Sequence, residues 1–186
     1  MKPASHQPVS SKSASSKPSS AKLLARSALF LAMTLILSYV EHQFGSLPLM
    51  PPGVKLGLSN VPVMYSLLFT GLPFALLLAV LKSLFVLLTR GFISGLLSLL
   101  GGLFSVLMMA LLLRLFKTKI SYLTLSVAGA VSHNLGQLVG ACFFMGGFLW
   151  VYLPILILSG VLMGLLTGFL LKVVLPYLQH IGRDGL

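Results

Sequence analysis

The chain has 186 residues, of which 57% are hydrophobic and 8% are charged, and its mean hydropathy is +1.03. A soluble domain carries roughly 25% charged residues, so the composition excludes a water-soluble protein. The length then indicates a single membrane-embedded domain. The formal net charge is +11. However, the basic residues lie at the ends of apolar segments without a basic-aromatic pattern, so we expect no nucleic-acid partner.

The apolar segments predict an all-α fold, a polytopic membrane helix bundle of about six transmembrane helices. Residues 1–21 are rich in Ser, Lys and Pro. Because they lack apolar periodicity, they are predicted to be a disordered, basic cytoplasmic tail. Residues 22–178 would form the membrane domain, and residues 179–186 a short cytoplasmic tail. The first apolar segment has the length of a membrane span and no clear cleavage site, which predicts an uncleaved helix.

Proline and glycine mark the predicted helix ends, because proline fits the first turn of a helix and glycine follows its last turn. Ser59 or Asn60 can cap the second helix, which is shorter than a full span. Glycines four residues apart in the last helix predict close helix packing. The expected helices cover residues 23–44, 59 or 60 to about 71, 73–89, 91–115, 122–145 and 149–175, with Pro176 ending the last.

The distribution of positive charge favours six crossings over five. Helices 2 and 3 could form one kinked span, because only the sequence Gly-Leu-Pro at 71–73 separates them. With six crossings, the basic residues of both termini and of the loop after the fourth helix lie in the cytoplasm, as the positive-inside rule requires. Lys55 and Arg90 then lie outside. The sequence therefore predicts a multi-pass protein of the cell membrane with both termini inside.

Three polar side chains share one face of the fifth predicted helix. His133, Asn134 and Gln137 lie at helical spacing, and polar side chains within a membrane helix are costly unless they face protein or a cavity. They either form hydrogen bonds with neighbouring helices or line a binding site. The clustering favours a ligand-binding wall.

Charged residues near this wall have alternative interpretations. Lys82 lies near the middle of the third helix, where an ammonium group needs a partner. It pairs with Glu41, reaches toward the membrane surface, or binds an anionic ligand. Lys55 and Arg90, together with Asn60, either form an electropositive outer mouth that attracts an anion or are merely solvated.

The sequence lacks the residues that catalysis or ATP hydrolysis would require. Its two acids, Glu41 and Asp184, provide neither paired carboxylates nor a triad, and no phosphate-binding loop occurs. His133 has no second ligand at metal-binding spacing. We expect no catalytic residues, no metal and no other cofactor, so uphill transport would need a partner that supplies energy.

Three segments resemble the Gx transporter family, also called heptaprenyl diphosphate synthase component I: GVKLGLSN at 53–60, LSLLGG at 97–102 and VAGAVSHNLGQ at 127–137. The resemblance covers about residues 23–175. The family is similar to the S components of energy-coupling factor (ECF) importers. That likeness implies a six-helix protein that binds a vitamin or precursor, with a membrane scaffold subunit and two ATPases as partners. It also implies that Ala28 and Ala32 contact the scaffold and that the loop at 45–57 covers the ligand.

The resemblance and the residues together give three hypotheses. In the first, the chain is the substrate-binding subunit of an ATP-driven importer for a small, anionic, partly apolar ligand, with a link to isoprenoid or quinone metabolism as one option. In the second, it is a membrane-anchoring accessory subunit of a prenyl diphosphate synthase, since one aspartate cannot form the Asp-rich motifs of that enzyme. In the third, it is a secondary transporter. The expected ligand-binding residues are Lys55, Asn60, Lys82, Arg90, His133, Asn134 and Gln137.

Overall fold

The computed structural model describes residues 20–45, 57–145 and 149–183, which form six α-helices. Two short 3-10 turns, Lys117–Lys119 and Leu149–Tyr152, precede the last two helices. The all-α prediction is therefore confirmed. The helices are α1 Ser20–Gly45, α2 Asn60–Phe69, α3 Leu72–Arg90, α4 Phe92–Phe116, α5 Tyr122–Met145 and α6 Leu153–Arg183.

Glycines separate α3 from its two neighbours. Gly71 and Gly91 have φ values of 105° and 88°, which residues with a Cβ avoid. The amides of Thr70 and Gly71 both donate to the carbonyl of Ser66, so α2 ends there and α3 is a separate helix. The ten residues of α2 extend only about 15 Å, half of a membrane's hydrocarbon thickness.

The predicted bounds of the first and last helices differ from the structure. Helix α6 begins at Leu153, because a 3-10 turn occupies its predicted start at 149–152. Helix α6 continues through Pro176 to Arg183, so it enters the segment predicted as a tail. Proline removes one backbone donor and bends a helix, but residues beyond it can resume helical hydrogen bonding. Helix α1 begins at Ser20, so the last two residues of the predicted N-terminal tail are helical. The predicted tail at 1–19 lies outside the described residues.

Among the described residues, three segments are long and apolar enough to cross a membrane: α3, α4 and Leu149–Pro176. The mean hydropathies of their 18-residue windows are 2.3, 2.5 and 2.2. Large apolar side chains also cover the outside of the bundle; Phe143 exposes 82% of its surface and Leu88 exposes 75%. The chain is therefore an integral membrane protein whose apolar surface faces lipid. The number of crossings and the orientation stay predictions.

Helix α2 lies in the centre of the bundle. Residues 61–67 are all buried, and Met64 and Tyr65 belong to the apolar core together with Phe30 of α1 and Leu78 of α3. Because buried residues occur on every side of α2, the surrounding helices enclose it and lipid does not reach it. Short connections place consecutive helices antiparallel, so α2 runs antiparallel to α3, and its start lies beside the middle of α3.

Helix α6 packs closely along α5 because its glycines remove the side chains between the two backbones. A Cβ at Gly164 would lie 2.6 Å from Cα of Val127, and a Cβ at Gly168 would lie 3.1 Å from Cα of Leu123. Close backbone approach of this kind is how membrane helices associate without a hydrophobic driving force. The glycine spacing in the last helix therefore serves packing within the chain.

We expect Gly164→Val to destabilise the protein by about 1–3 kcal/mol, because the added carbon atoms would overlap the backbone of α5. Leu165→Val is the matched control, since it places the same residue on an exposed position of α6. Thermal unfolding of the purified protein in detergent measures the difference. Equal midpoints for the two variants would contradict the packing of α6 against α5.

Candidate ligand-binding site

Glu41 joins the end of α1 to the start of α2. Its side chain is 7% exposed; one carboxylate oxygen accepts a hydrogen bond from the backbone N–H of Gly57, and the other accepts one from the Ser59 hydroxyl at 2.7 Å. Ser59 occupies the predicted cap position, but its side chain makes no capping bond within α2. The carboxylate instead lies at the N-terminus of that helix, where the helix dipole favours negative charge.

Lys82 brings a positive charge from α3 to the same region. The residue is 8% exposed, and its Nζ donates a hydrogen bond to Oδ1 of Asn60, the first residue of α2, at 2.8 Å. The side chain of Asn60 therefore orients the ammonium group within the bundle. Two of the predicted ligand-binding residues are thus in direct contact.

Arg90 contributes a second positive charge at the end of α3. Its side chain is half-buried, and Nη2 donates to the backbone carbonyl of Ser38 on α1 at 2.6 Å. Glu41 lies near enough to act electrostatically on this guanidinium. Arg90 therefore packs against α1 beside the carboxylate instead of extending freely into solvent.

Helix α5 presents His133 and Asn134 to this region. His133 is 5% exposed and lies where Gly101 allows α4 to approach; a Cβ at Gly101 would lie 3.0 Å from Cε1 of His133. Nδ2 of Asn134 donates to the carbonyl of Leu156 on α6 at 2.8 Å. The amide thus bridges α5 and α6, so part of the polar face does form inter-helix hydrogen bonds.

The side chains of Glu41, Asn60, Lys82, Arg90, His133 and Asn134 line one narrow cavity of about 20 Å³. A volume of that size holds roughly one water molecule. The described charged side chains are two cations and one carboxylate, and Val86, Ala130 and Met163 add apolar surface. The residues around it are Ser38, Glu41, Gly57, Ser59, Asn60, Lys82, Val86, Arg90, Ser98, Ala130, His133, Asn134, Gly160 and Met163.

The structure thus brings together five of the seven predicted ligand-binding residues: Asn60, Lys82, Arg90, His133 and Asn134. Gln137 lies one turn farther along α5, against Gly101 of α4, and its buried Nε2 has no acceptor among the described residues. Lys55 and most of the predicted covering loop, residues 46–56, lie outside the described residues.

Sequence reasoning considered Glu41 only as a possible partner of Lys82 and missed its contacts with Gly57 and Ser59. A signal did exist, because Glu41 is the one acid of the apolar part of the chain. A carboxylate in such surroundings needs donors, but the sequence does not say which ones.

The two alanines predicted to contact a scaffold lie on the surface. Ala28 and Ala32 are both exposed, one helical turn apart on α1. Small residues on an exposed face would let another membrane helix approach α1 closely. The described part of the chain leaves this face open.

A buried, charged cavity inside a lipid-facing helix bundle defines the class: an integral membrane protein with an internal polar site. The family comparison narrows this class. Residues 30–174 match the family model of heptaprenyl diphosphate synthase component I, so the chain belongs to that family. No curated protein and no solved structure matched the chain.

We expect Glu41→Ala to lower stability by about 2–3 kcal/mol, because it leaves two donors at the start of α2 without their charged acceptor. Glu41→Gln retains one carbonyl oxygen and should fall between this variant and the wild type. Gln43→Ala, at an exposed position of the same helix, is the control. The measurement is the order of the unfolding midpoints in detergent. If Glu41→Ala unfolds at the same temperature as the control, the carboxylate does not hold α2.

Proposed function

We propose that the chain is the substrate-binding membrane subunit of an ATP-driven importer, similar to the S components of ECF importers. This proposal is supported by one observation: three charged residues, Glu41, Lys82 and Arg90, line the same cavity. Charged side chains are costly inside a membrane protein, and where they occur they commonly mark a substrate pathway. A ligand site gives these charges a physical reason to be there.

The lining of the cavity indicates the chemistry of the ligand. Lys82 and Arg90 supply more positive charge than Glu41 offsets, and a guanidinium can bind a carboxylate or a phosphate with two parallel hydrogen bonds. Polar groups of His133 and Asn134 face the same space as apolar surface. We therefore propose a small ligand with an anionic group and an apolar part.

The narrowness of the cavity means that a ligand would enter by exchanging existing contacts. The bonds of Lys82 to Asn60 and of Asn134 to the Leu156 carbonyl satisfy buried polar groups that would otherwise be costly. A ligand that replaced those partners would keep the groups satisfied. Binding would then be coupled to a shift of α2 against α3, or of α5 against α6.

Energy for import would come from partner subunits. The chain has two acids, which leaves few groups to carry coupling ions, and it has no phosphate-binding loop. The exposed Ala28 and Ala32 on α1 offer a face for a scaffold helix. ATP hydrolysis in further subunits would drive reorientation of this subunit against the scaffold.

The family name favours a second candidate, a membrane-anchoring accessory subunit of a prenyl diphosphate synthase. Two acids cannot form two Asp-rich motifs, so the chemistry would belong to a soluble partner. In that case the cavity would stabilise the bundle or bind part of a prenyl diphosphate. The two candidates differ in which proteins accompany the chain.

Ligand binding is tested by native mass spectrometry of the protein purified in mild detergent, which identifies a co-purifying small molecule by its mass. We expect Lys82→Met to lower the retained fraction about tenfold to a hundredfold, because it removes a hydrogen bond to a charged group. Lys119→Met, at an exposed position near the other end of the bundle, is the control. The proposed site is wrong if Lys82→Met, His133→Ala and Asn134→Ala all retain the molecule as the control does.

Partner identity is tested by affinity purification from native membranes. We expect the wild type to recover a membrane scaffold and ATPases, and the double variant Ala28→Leu, Ala32→Leu to lose them, because larger side chains separate the helices. Val80→Leu, at an exposed position of α3, is the control. Recovery of a soluble Asp-rich synthase instead would support the second candidate. Uptake that needs no ATPase and collapses with the ion gradient would indicate a secondary transporter.

A further inference from the structure

A second concave surface lies at the opposite end of the bundle from the charged cavity. This surface, here called the basic groove, has a volume of about 480 Å³. The end of α2, the end of α4, the start of α5 and the late part of α6 surround it. Its walls are mainly apolar, with Leu68, Leu113 and Ile120 among them, and two lysines, Lys117 and Lys172, lie at its edge.

The position of the basic groove corresponds to the boundary between hydrocarbon and headgroups. Helix α4 has 25 residues and extends about 37 Å, which exceeds the roughly 30 Å of a hydrocarbon core. Lys117 follows the last residue of α4 directly, so it lies at headgroup level if α4 spans the membrane. The apolar walls then extend from that level into the depth of the acyl chains.

The groove combines positive charge with an unusual backbone conformation at one of its lysines. Lys117 has φ 52° and ψ −124°, and it is the one described residue other than glycine with a positive φ. Such conformations cost free energy and persist where surrounding structure holds them. Lys117 and Lys172 are exposed, and both lie where a phosphate group could approach the groove.

We propose that the basic groove binds an anionic phospholipid of the surrounding membrane, with the phosphate between Lys117 and Lys172 and an acyl chain along the apolar wall. The surface is complementary to such a lipid, because it is apolar where the lipid is apolar and cationic where the lipid is anionic. Basic pockets between helix ends are a recognised form of lipid headgroup site. This lipid site does not depend on the ligand proposed for the other cavity.

The test uses the full-length protein in mild detergent with equal amounts of phosphatidylglycerol and phosphatidylcholine of matched acyl chains. Native mass spectrometry counts each bound lipid. We expect preferential binding of phosphatidylglycerol, reduced about fivefold by Lys117→Gln or by Lys172→Gln and about thirtyfold by the double variant. Lys119→Gln, a lysine of the same 3-10 turn that does not line the groove, should leave binding unchanged.

Three results would overturn the proposal. Equal binding of both lipids would show that the groove does not select negative charge. An equal loss in the Lys119→Gln variant would show a general surface attraction and no defined site. Displacement of phosphatidylglycerol by glycerol 3-phosphate, which carries the charged group without acyl chains, would show that the apolar wall contributes nothing. The exposure of all three lysines keeps these variants from disturbing the core.

Discussion

The buried carboxylate of Glu41 sets the arrangement on which the cavity depends. Helix α2 has only ten residues, so its start lies within the depth of the bundle, where first-turn amides and a buried acid would both be costly without partners. The first amides of α2 are satisfied by the backbone, because Asn60 and Val61 donate to the carbonyls of Gly57 and Leu58. Glu41 is satisfied by the same segment, since it accepts hydrogen bonds from Gly57 and Ser59 just before α2. The residues that lead into the short central helix therefore also hold the buried acid.

The position of α2 in turn fixes the charged side of the cavity. Asn60 begins the helix and accepts the bond from Lys82, while Arg90 bonds to the Ser38 carbonyl on α1, so α1, α2 and α3 hold the charges in one place. The second half of the bundle contributes further polar side chains, and its glycines let α5 approach both α4 and α6. His133 lies beside α4, and Asn134 bridges to α6. The cavity thus forms where the charged side chains of α1 and α3 meet the polar face of α5.

Sequence reasoning succeeded where neighbouring residues determine the local structure. It failed where the structure depends on contacts between residues far apart in the sequence. Glycine and proline located both ends of α3 within a residue, because those residues act on their own backbone. Helical spacing placed His133, Asn134 and Gln137 on one face. However, helical spacing predicts which face of a helix a residue lies on, but not which turns of that helix border a cavity. Gln137 shares the face of His133 and Asn134 but lies one turn beyond the cavity lining. The partners of Glu41, 16 and 18 residues away, depend on how α1 and α2 pack, which no local pattern reveals.

The proposed anion site and the positive-inside rule place opposite demands on the outer end of the bundle. Under the predicted orientation the cavity opens outside, where exposed lysine and arginine are disfavoured, yet an anionic ligand requires positive charge. The structure places that charge inside the bundle, bonded to Asn60 and to the Ser38 carbonyl and offset by Glu41, instead of on the outer surface. The other end carries exposed Lys117, Lys119 and Lys172. If the cavity binds an anion as proposed, surface cations would set the orientation while Lys82 and the half-buried Arg90 would bind the ligand, so different residues would meet the two requirements.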